Sequence, residues 1–260
     1  MQNSQKFGII TKKVGVEMQR YFVECSAICG NEIQIIGSDY HHITKVMRMK
    51  MGDQVYVASE NKSWLCHIKS IDDSIVYLEI DQPLDEKKEL PVEVTIAQGI
   101  VRREKMEEVI EKITALGAAA YAPIEMERCN VKLYDEKIDK KWERMNKIAK
   151  EAAEQSHRTN LLDINRPISF SSLLMMAPRY DLCLYAYEVT SRGKSLKEIL
   201  QRKHYQRILV LIGPEGGLSE KEVGQLEKNN FVPVHLGPRI LRTELAPAYV
   251  LSAISYELEG

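Results

Sequence analysis

The sequence contains no long hydrophobic run. No segment approaches the about 18 consecutive apolar residues that a membrane-spanning helix needs. The N-terminus, which reads MQNSQKFGII over residues 1–10, also has too short an apolar stretch for a secretory signal peptide. These absences predict a protein that stays out of the membrane and acts in the cytoplasm.

Cysteine is sparse and irregularly spaced. The 260 residues include five cysteines, an odd number, and no two of them form a CxxC pair. The six histidines show no spacing with cysteine or carboxylate that is typical of a metal site. We therefore predict neither a disulfide framework nor a metal centre, and interpret the cysteines as reduced thiols. The adjacent His41 and His42 are interpreted as a packing or capping pair.

Three common catalytic motifs are also missing. No GxGxxG follows a predicted strand, which argues against a dinucleotide-binding fold and against the common Rossmann-type methyltransferases. The chain has neither a GxxxxGK[ST] loop for nucleoside triphosphates nor a GxSxG nucleophile elbow. The formal net charge is −1, so no global field attracts nucleic acid, although a local basic patch is compatible with this value.

The residue pattern divides the chain into two domains. Residues 18–82 contain short stretches rich in β-formers with turn residues between them, which predicts a small β-barrel with one helix at 39–49. Residues 83–91 are charged, include two prolines and are interpreted as a linker. Residues 1–17 show no clear pattern and are interpreted as a lead-in, and residues 92–260 form the second domain.

Strand and helix patterns alternate in residues 92–260. This alternation predicts an α/β domain with a mostly parallel sheet that helices cover on both faces. The predicted strands are 92–97, 119–124, 181–187, 207–212 and 231–236, and the predicted helices are 105–116, 140–157, 196–202, 219–229 and 246–258.

Two glycine-containing loops follow two of the predicted strands. The strand at 207–212 runs into the sequence GPEGG, and a helix begins shortly afterwards with Ser219 and Glu222 at the spacing of a capping box. The strand at 231–236 runs into Gly237 and Pro238. Because open α/β sheets bind ligands beyond the carboxyl ends of their strands, we expect the two loops to close on one small molecule. Simple turn geometry is the alternative reading of the glycines.

These two stretches carry a resemblance to a known family. The sequences IGPEGGLS at 212–219 and LGPRILRTE at 236–244 resemble RsmE-type 16S ribosomal RNA uridine N3-methyltransferases, which belong to the SPOUT superfamily. The resemblance covers residues 18–260. The other motifs that carry it are RYF at 20–22, HHITKVMR at 41–48, GD at 52–53, REKME at 103–107, LG at 116–117, Arg128 and EAAEQSHR at 151–158.

The resemblance implies a fold and a cofactor. It implies a deep trefoil knot in the second domain, an N-terminal PUA-like β-barrel that binds RNA, and a homodimer formed through the knot region and the last helix. It also implies that the knot binds S-adenosylmethionine. The residues that correspond to the donor pocket are Gly213, Pro214, Glu215, Gly216, Gly217, Leu236, Gly237, Ile240, Leu241 and Thr243, with Glu188 at the rim.

The implied reaction is methyl transfer to uridine N3 in the 16S RNA of the small ribosomal subunit. N3 must lose its proton, so a guanidinium that stabilises negative charge on the uracil carbonyls is expected. We predict Arg242 and Arg158 in this role, with Arg103 behind them, and Glu244 as a base or orienting group. Charge pairing between Arg242 and Glu244 is the alternative. The predicted RNA-binding residues are Arg20, Lys45, Arg48, Arg102, Lys105 and Arg128.

One position departs from the family pattern. Leu245 stands where a threonine usually follows the RTE sequence, so a hydroxyl that caps the last helix or touches the ligand is missing. We expect donor binding to survive, because backbone groups supply most of the contact. Two other functions stay open on the sequence alone: a SPOUT enzyme that methylates another RNA such as tRNA, and a non-catalytic RNA-binding protein of the same fold.

Overall fold

A computed structural model describes residues 18–131, 138–187, 194–201 and 205–259. The predicted lead-in at 1–17 lies outside the described residues. None of the helices in the described ranges is long and apolar enough to cross a membrane.

A curled sheet forms the N-terminal part of the chain. Its strands are β1 (Arg20–Phe22), β2 (Ile28–Cys29), β3 (Glu32–Ile35), β4 (Gln54–Ser59), β5 (Lys62–Ile71) and β6 (Val76–Leu84). They lie in the order β1-β4-β5-β6-β3-β2, with β1 parallel to β4 and the other neighbours antiparallel. Inward side chains such as Ile33, Val57 and Leu78 form its core. The strand β6 continues beyond residue 82, and the exact domain boundary stays a prediction.

The helix predicted at 39–49 is shorter and less regular than expected. A helix α1 (Gly37–His41) passes into a π-helical turn at His42–Val46. Only Ile43 is fully buried there, and the partly buried Tyr40 also packs against the core of the curled sheet. The Tyr21 hydroxyl lies 3.0 Å from Nδ1 of His42, which packs edge-on against the tyrosine ring. This contact fits the packing interpretation of His42.

A second, parallel sheet forms the rest of the chain. Its strands are β7 (Glu93–Gly99), β8 (Ala120–Glu125), β9 (Asp163–Ile164), β10 (Ile168–Ser169), β11 (Leu182–Ala186), β12 (Lys194–Ser195), β13 (Arg207–Ile212) and β14 (Val232–His235). The order is β10-β8-β7-β13-β11-β14-β12, with β9 also beside β8, and every pairing is parallel. The prediction of a mostly parallel sheet is confirmed.

Helices cover both faces of this sheet. They are α2 (Arg103–Ala115), α3 (Ile138–Gln155), α4 (Phe170–Met176), α5 (Leu196–Leu200), α6 (Glu220–Lys228) and α7 (Ala246–Leu258). One buried cluster joins α2, α3, α5 and α7 to the sheet, and a second joins α4 and α6 to its other face. The strands β9, β10 and β12 and the helix α4 were not predicted, because each is too short to show a period.

Two buried arginines connect the curled sheet to the parallel sheet. Arg20 donates to the Arg158 carbonyl at 3.1 Å and to Glu86 at 2.6 Å. Arg158 donates to Glu89 at 2.5 Å and to the Ala118 carbonyl at 2.9 Å. Both arginines are only 2% exposed, and both carboxylates come from the predicted linker. The linker therefore holds the two parts of the chain together.

This placement does not favour two of the predicted roles. Arg20 is buried and pairs with Glu86, which leaves little of its guanidinium for an RNA phosphate, and its RNA-binding role stays a prediction. Arg158 bonds to Ala118, just before β8 begins, and therefore lies at the amino ends of the parallel strands. The loops that follow β13 and β14 lie at the opposite edge of the sheet. The catalytic role of Arg158 stays a prediction, and its buried contacts favour a structural role instead.

Replacing Arg158 with methionine should destabilise the fold. The change leaves the Glu89 carboxylate without its guanidinium, so we expect the free energy of unfolding to fall by about 3–5 kcal/mol. Arg144→Met is the matched control: its partner is also a glutamate, but 60% of the Arg144 side chain is exposed. There we expect a loss of at most about 1 kcal/mol. Urea denaturation measures both, and equal effects would contradict the structural role.

Candidate active site

A cavity of about 700 Å³ lies between the two glycine-containing loops. The loop at 213–218 follows β13, and the loop at 236–245 follows β14. The strand β11 lies between β13 and β14, and its end contributes Ala186 and Tyr187 to the cavity wall. The expectation that the two loops meet is confirmed. A larger cleft of about 1000 Å³ lies between the two sheets, and neither loop lines it.

A chain of buried hydrogen bonds connects the loops to the sheet. The Tyr121 hydroxyl donates to Oε1 of Gln98 at 2.9 Å, and Nε2 of Gln98 donates to the Thr243 carbonyl at 2.8 Å. The Thr243 hydroxyl accepts from Gln98 at 3.0 Å and donates to the Gly213 carbonyl at 2.7 Å. Tyr121 and Gln98 are fully buried and cannot bond to water, so these hydrogen bonds satisfy their polar groups. This series of hydrogen bonds fixes the separation of the two loops where they leave the sheet.

Gln98 is a site residue that sequence reasoning missed. It follows the apolar stretch of β7, where a polar side chain is unusual for a strand buried on both faces. That mismatch is the only signal in the sequence, and it does not reveal a partner that lies 145 positions away.

Glycine is required where the first loop packs on the sheet. A Cβ atom on Gly99 would lie 2.4 Å from Cδ of Pro214, which is closer than any real contact. Gly217 has a φ of +70°, which non-glycine residues rarely adopt. The loop therefore depends on glycine for both packing and backbone conformation, and the turn-geometry reading of Gly217 is compatible with a place in the cavity wall.

The capping box predicted at the start of α6 is present. Ser219 accepts from the Glu222 amide at 3.3 Å, and Glu222 accepts from the Ser219 amide at 2.9 Å. Glu222 also accepts from the Glu127 amide, and the Ser219 hydroxyl donates to the Glu127 carboxylate. This holds the neighbouring Arg128, whose guanidinium donates to the Gly216 carbonyl at 3.2 Å. Arg128 is exposed and borders the cavity.

Four charged residues surround the cavity mouth. Nζ of Lys105 lies 3.2 Å from Glu215 and 3.4 Å from Glu244, and Arg242 lies 3.9 Å from Glu244. Burial raises the pKa of Glu244, but a hydrogen bond from its own amide and the charges of Lys105 and Arg242 outweigh this, so its pKa lies below the ordinary value. Glu244 is therefore an anion at neutral pH and a weak proton acceptor.

The predicted donor residues fall together, with one exception. Ten line the cavity, and Glu188 lies outside the described residues. Ile240 stands at the mouth, where it is 81% exposed. The ten are Gly213, Pro214, Glu215, Gly216, Gly217, Leu236, Gly237, Ile240, Leu241 and Thr243.

The residues predicted for catalysis and RNA binding lie in separate places: at the cavity, at the start of α2 and in the N-terminal part of the chain. Arg242 lines the cavity with 87% of its side chain exposed. Arg102 and Arg103 are exposed at the start of α2, where Arg103 pairs with Glu104 and Glu107 instead of facing the cavity. Lys45 is exposed in the π-helical turn at His42–Val46, and Arg48 is exposed in the loop that follows it. In the described ranges, no group of three or more His, Cys, Asp or Glu is placed to hold a metal ion.

Leu245 occupies the cap position of α7. Its side chain makes no cap hydrogen bond and is 46% exposed. The expected loss of a capping hydroxyl is confirmed. Pro247 lies in the first turn of the helix, where its missing N–H is not needed.

Comparisons with known proteins agree with this architecture. A family model described as an RNA methyltransferase domain matches residues 88–255, and one described as an RNA methyltransferase PUA domain matches residues 35–81. The fold and the two-loop cavity thus define an RNA methyltransferase of the SPOUT type.

Individual relatives narrow the class. The Bacillus subtilis ribosomal RNA small subunit methyltransferase E is 41% identical over 93% of this chain and 98% of its own length. The Synechocystis protein of that name is 30% identical over 88% of this chain and 74% of its own. A Neisseria gonorrhoeae structure of that name, bound to S-adenosylmethionine, is 25% identical with a TM-score of 0.82 over 92% of this chain and 98% of its own. The chain belongs to the ribosomal RNA small subunit methyltransferase E family.

The Thr243 hydroxyl is expected to stabilise the fold. Thr243→Val keeps the shape but leaves the Gly213 carbonyl without its donor, so the free energy of unfolding should fall by about 1–3 kcal/mol. Thr243→Ser keeps the hydroxyl and is the control, with a smaller expected loss. Denaturation of the three proteins checks this, and a valine variant as stable as wild type would rule out the proposed bond.

Proposed function

We propose that this protein transfers a methyl group from S-adenosylmethionine to N3 of a uridine in the 16S RNA of the small ribosomal subunit. The observation that carries the proposal is the cavity between the two loops, because its wall consists of the residues that resemble the family's donor pocket. The names of the relatives and the donor bound to the Neisseria gonorrhoeae structure support it. The site of action would be the cytoplasm, where ribosomal subunits mature.

The cavity fits S-adenosylmethionine in size and chemistry. Its volume of about 700 Å³ lies in the range of small-molecule sites. Leu218, Leu236 and Leu241 offer an apolar surface for a planar base, and the glycine loops offer backbone amides and carbonyls. When bound, S-adenosylmethionine supplies a methyl group on a positively charged sulfur that needs no further activation.

The protein's own contribution is to position and to stabilise charge. In-line transfer requires the acceptor base to be held against the donor, which is catalysis by positioning. Arg242 is placed to stabilise negative charge on a uracil carbonyl as N3 loses its proton, because its guanidinium is free to turn from Glu244 toward a base at the mouth. The lowered pKa of Glu244 favours an orienting role over that of a proton acceptor.

The acceptor uridine must leave its stack to reach the cavity, because N3 is not accessible within a helix. Arg102, Arg103 and Arg128 are exposed beside the cavity or on the adjoining helix start and are proposed to contact the RNA backbone there. Lys45 and Arg48, in and after the π-helical turn of the N-terminal part, are proposed to hold a more distant part of the RNA. Contacts of this kind make binding sensitive to salt.

The proposed function predicts methylation of small ribosomal subunits. Incubating the wild-type protein with labelled S-adenosylmethionine and unmethylated small subunits should place label on uridine N3, which mass spectrometry of RNA fragments identifies. Arg242→Ala should lower turnover at saturating donor by roughly 10²-fold. Arg179→Ala changes an exposed arginine away from the cavity and is the matched control, with wild-type turnover expected.

Three results would contradict this account. Label on tRNA but not on small subunits would favour the alternative substrate. A wild-type chain that binds RNA but not S-adenosylmethionine would indicate a non-catalytic RNA-binding protein. Unchanged turnover of Arg242→Ala would remove Arg242 from the mechanism and leave it as the charge partner of Glu244.

A homodimer through α7 is part of the proposal. Val250, Leu251 and Ile254 on one face of this helix are buried in the core of the subunit. On another face Tyr249 is 40% exposed and Tyr256 is 83% exposed, so apolar surface is available to a second copy. Sedimentation at micromolar concentration should show a dimer, and a monomer alone would count against it.

The trefoil knot is also proposed, on the basis of the strand order. The strand β14 lies on the far side of β11 from β13, yet Thr243, which follows β14, bonds to Gly213, which follows β13. The segment at 236–243 must therefore cross the end of β11, where the chain leaves that strand after Tyr187. Such a crossing is what a knotted arrangement requires.

A further inference from the structure

Lys105 stands between the two loops of the cavity. It lies in the first turn of α2, and its ammonium group is 3.2 Å from Oε1 of Glu215 and 3.4 Å from Oε2 of Glu244. Glu215 belongs to the loop after β13, and Glu244 belongs to the loop after β14. One cation on a helix thus connects carboxylates from both walls of the cavity.

The two carboxylates that Lys105 joins are largely shielded from water, which strengthens their interaction with its charge. The Glu244 side chain is 12% exposed and the Glu215 side chain is 26% exposed, so water screens the two carboxylates only in part. Without Lys105 the two like charges would repel each other across the cavity mouth. Arg242 does not replace the cation, because it lies 3.9 Å from Glu244 and its side chain is 87% exposed.

The same geometry argues against Lys105 as an RNA contact. A lysine that binds phosphate needs an ammonium group free to face the solvent, whereas that of Lys105 is held by two carboxylates and its side chain is 34% exposed. A phosphate placed beside it would also meet the two anions. The predicted RNA-binding role is therefore less well supported for Lys105 than for the exposed Arg128.

We propose that Lys105 is a positioning residue that closes the donor cavity by bridging Glu215 and Glu244. This inference rests on the proposed function for its link to methyl transfer, but the bridge itself belongs to the free protein. With the bridge in place, the two loops hold the donor, and Glu244 stays oriented toward Arg242. With the bridge broken, the Thr243–Gly213 bond still joins the two loops, but the parts that carry Glu215 and Glu244 move apart and both effects weaken.

Lys105→Met removes the charge and keeps much of the volume. We expect the affinity for S-adenosylmethionine, measured by calorimetry, to fall about tenfold, because the cavity mouth loses the ion pairs that join Glu215 and Glu244. Lys105→Arg keeps a cation and should recover most of the affinity. Lys112→Met is the matched control, because Lys112 is an exposed lysine on the same helix that pairs with Glu108. It should bind like wild type.

A second substitution tests whether repulsion is the cause. Adding Glu215→Gln to Lys105→Met removes one of the two like charges, so it should restore part of the lost donor affinity. If the double variant binds no better than the single variant, repulsion between Glu215 and Glu244 is not what opens the cavity, and the proposal fails.

The pH dependence of methyl transfer gives a readout that a purely structural lysine would not move. Glu244 is faced by Lys105 from α2 and by Arg242 from its own loop, and Lys105 also pairs with Glu215 from the first loop. Its lowered pKa keeps it ionised until the pH falls well into the acid range. Removing Lys105 raises that pKa, so the acid limb of activity should shift to higher pH. An unshifted limb would contradict the proposal.

Two further measurements separate the possible outcomes. If Lys105→Met leaves donor affinity unchanged but lowers the salt dependence of RNA binding, Lys105 is an RNA contact and the bridge is rejected. Hydrogen exchange without any ligand tests the bridge even if the proposed function is wrong. Amides at 213–217 and 236–244 should exchange faster in Lys105→Met and normally in Lys105→Arg, and equal exchange in all forms would overturn the proposal.

Discussion

The site depends on the bond that Thr243 makes to the Gly213 carbonyl. This bond joins two loops that follow different strands. Gln98, on β7, holds Thr243 in place by donating to its backbone carbonyl and to its hydroxyl. Gln98 and Thr243 are buried, so a broken bond would leave one of their polar groups unsatisfied. The cavity wall is therefore set by a polar contact rather than by apolar packing alone.

Close backbone packing supports that contact. Gly99 allows Pro214 to lie against the end of β7, which places Gly213 within reach of Thr243. Ser219 and Glu222 fix the far end of the first loop, where α6 begins. The first loop is thus constrained at both ends, and the second is constrained by Gln98, so the charged groups at the mouth occupy fixed positions around a preformed cavity.

Much of this arrangement could be predicted from local patterns. The strand at Arg207–Ile212 and the helix at Ala246–Leu258 have the predicted limits, because an apolar run and a helix-starting proline define them clearly. The glycine-containing motifs correctly predicted which two loops border the cavity. Gln98 could not be found in this way, because its partner is distant in the sequence. Nor did the charge of Arg20 and Arg158 reveal that both are buried, since pairing with Glu86 and Glu89 arises only in the folded chain.

The central claim is that the bonded loops form one donor site. The most direct test is calorimetric titration of wild type, Thr243→Ser and Thr243→Val with S-adenosylmethionine. We expect binding by wild type and by the serine variant, and an affinity about tenfold lower for the valine variant, which has lost one buried hydrogen bond. Equal affinity of the valine variant and wild type would contradict it.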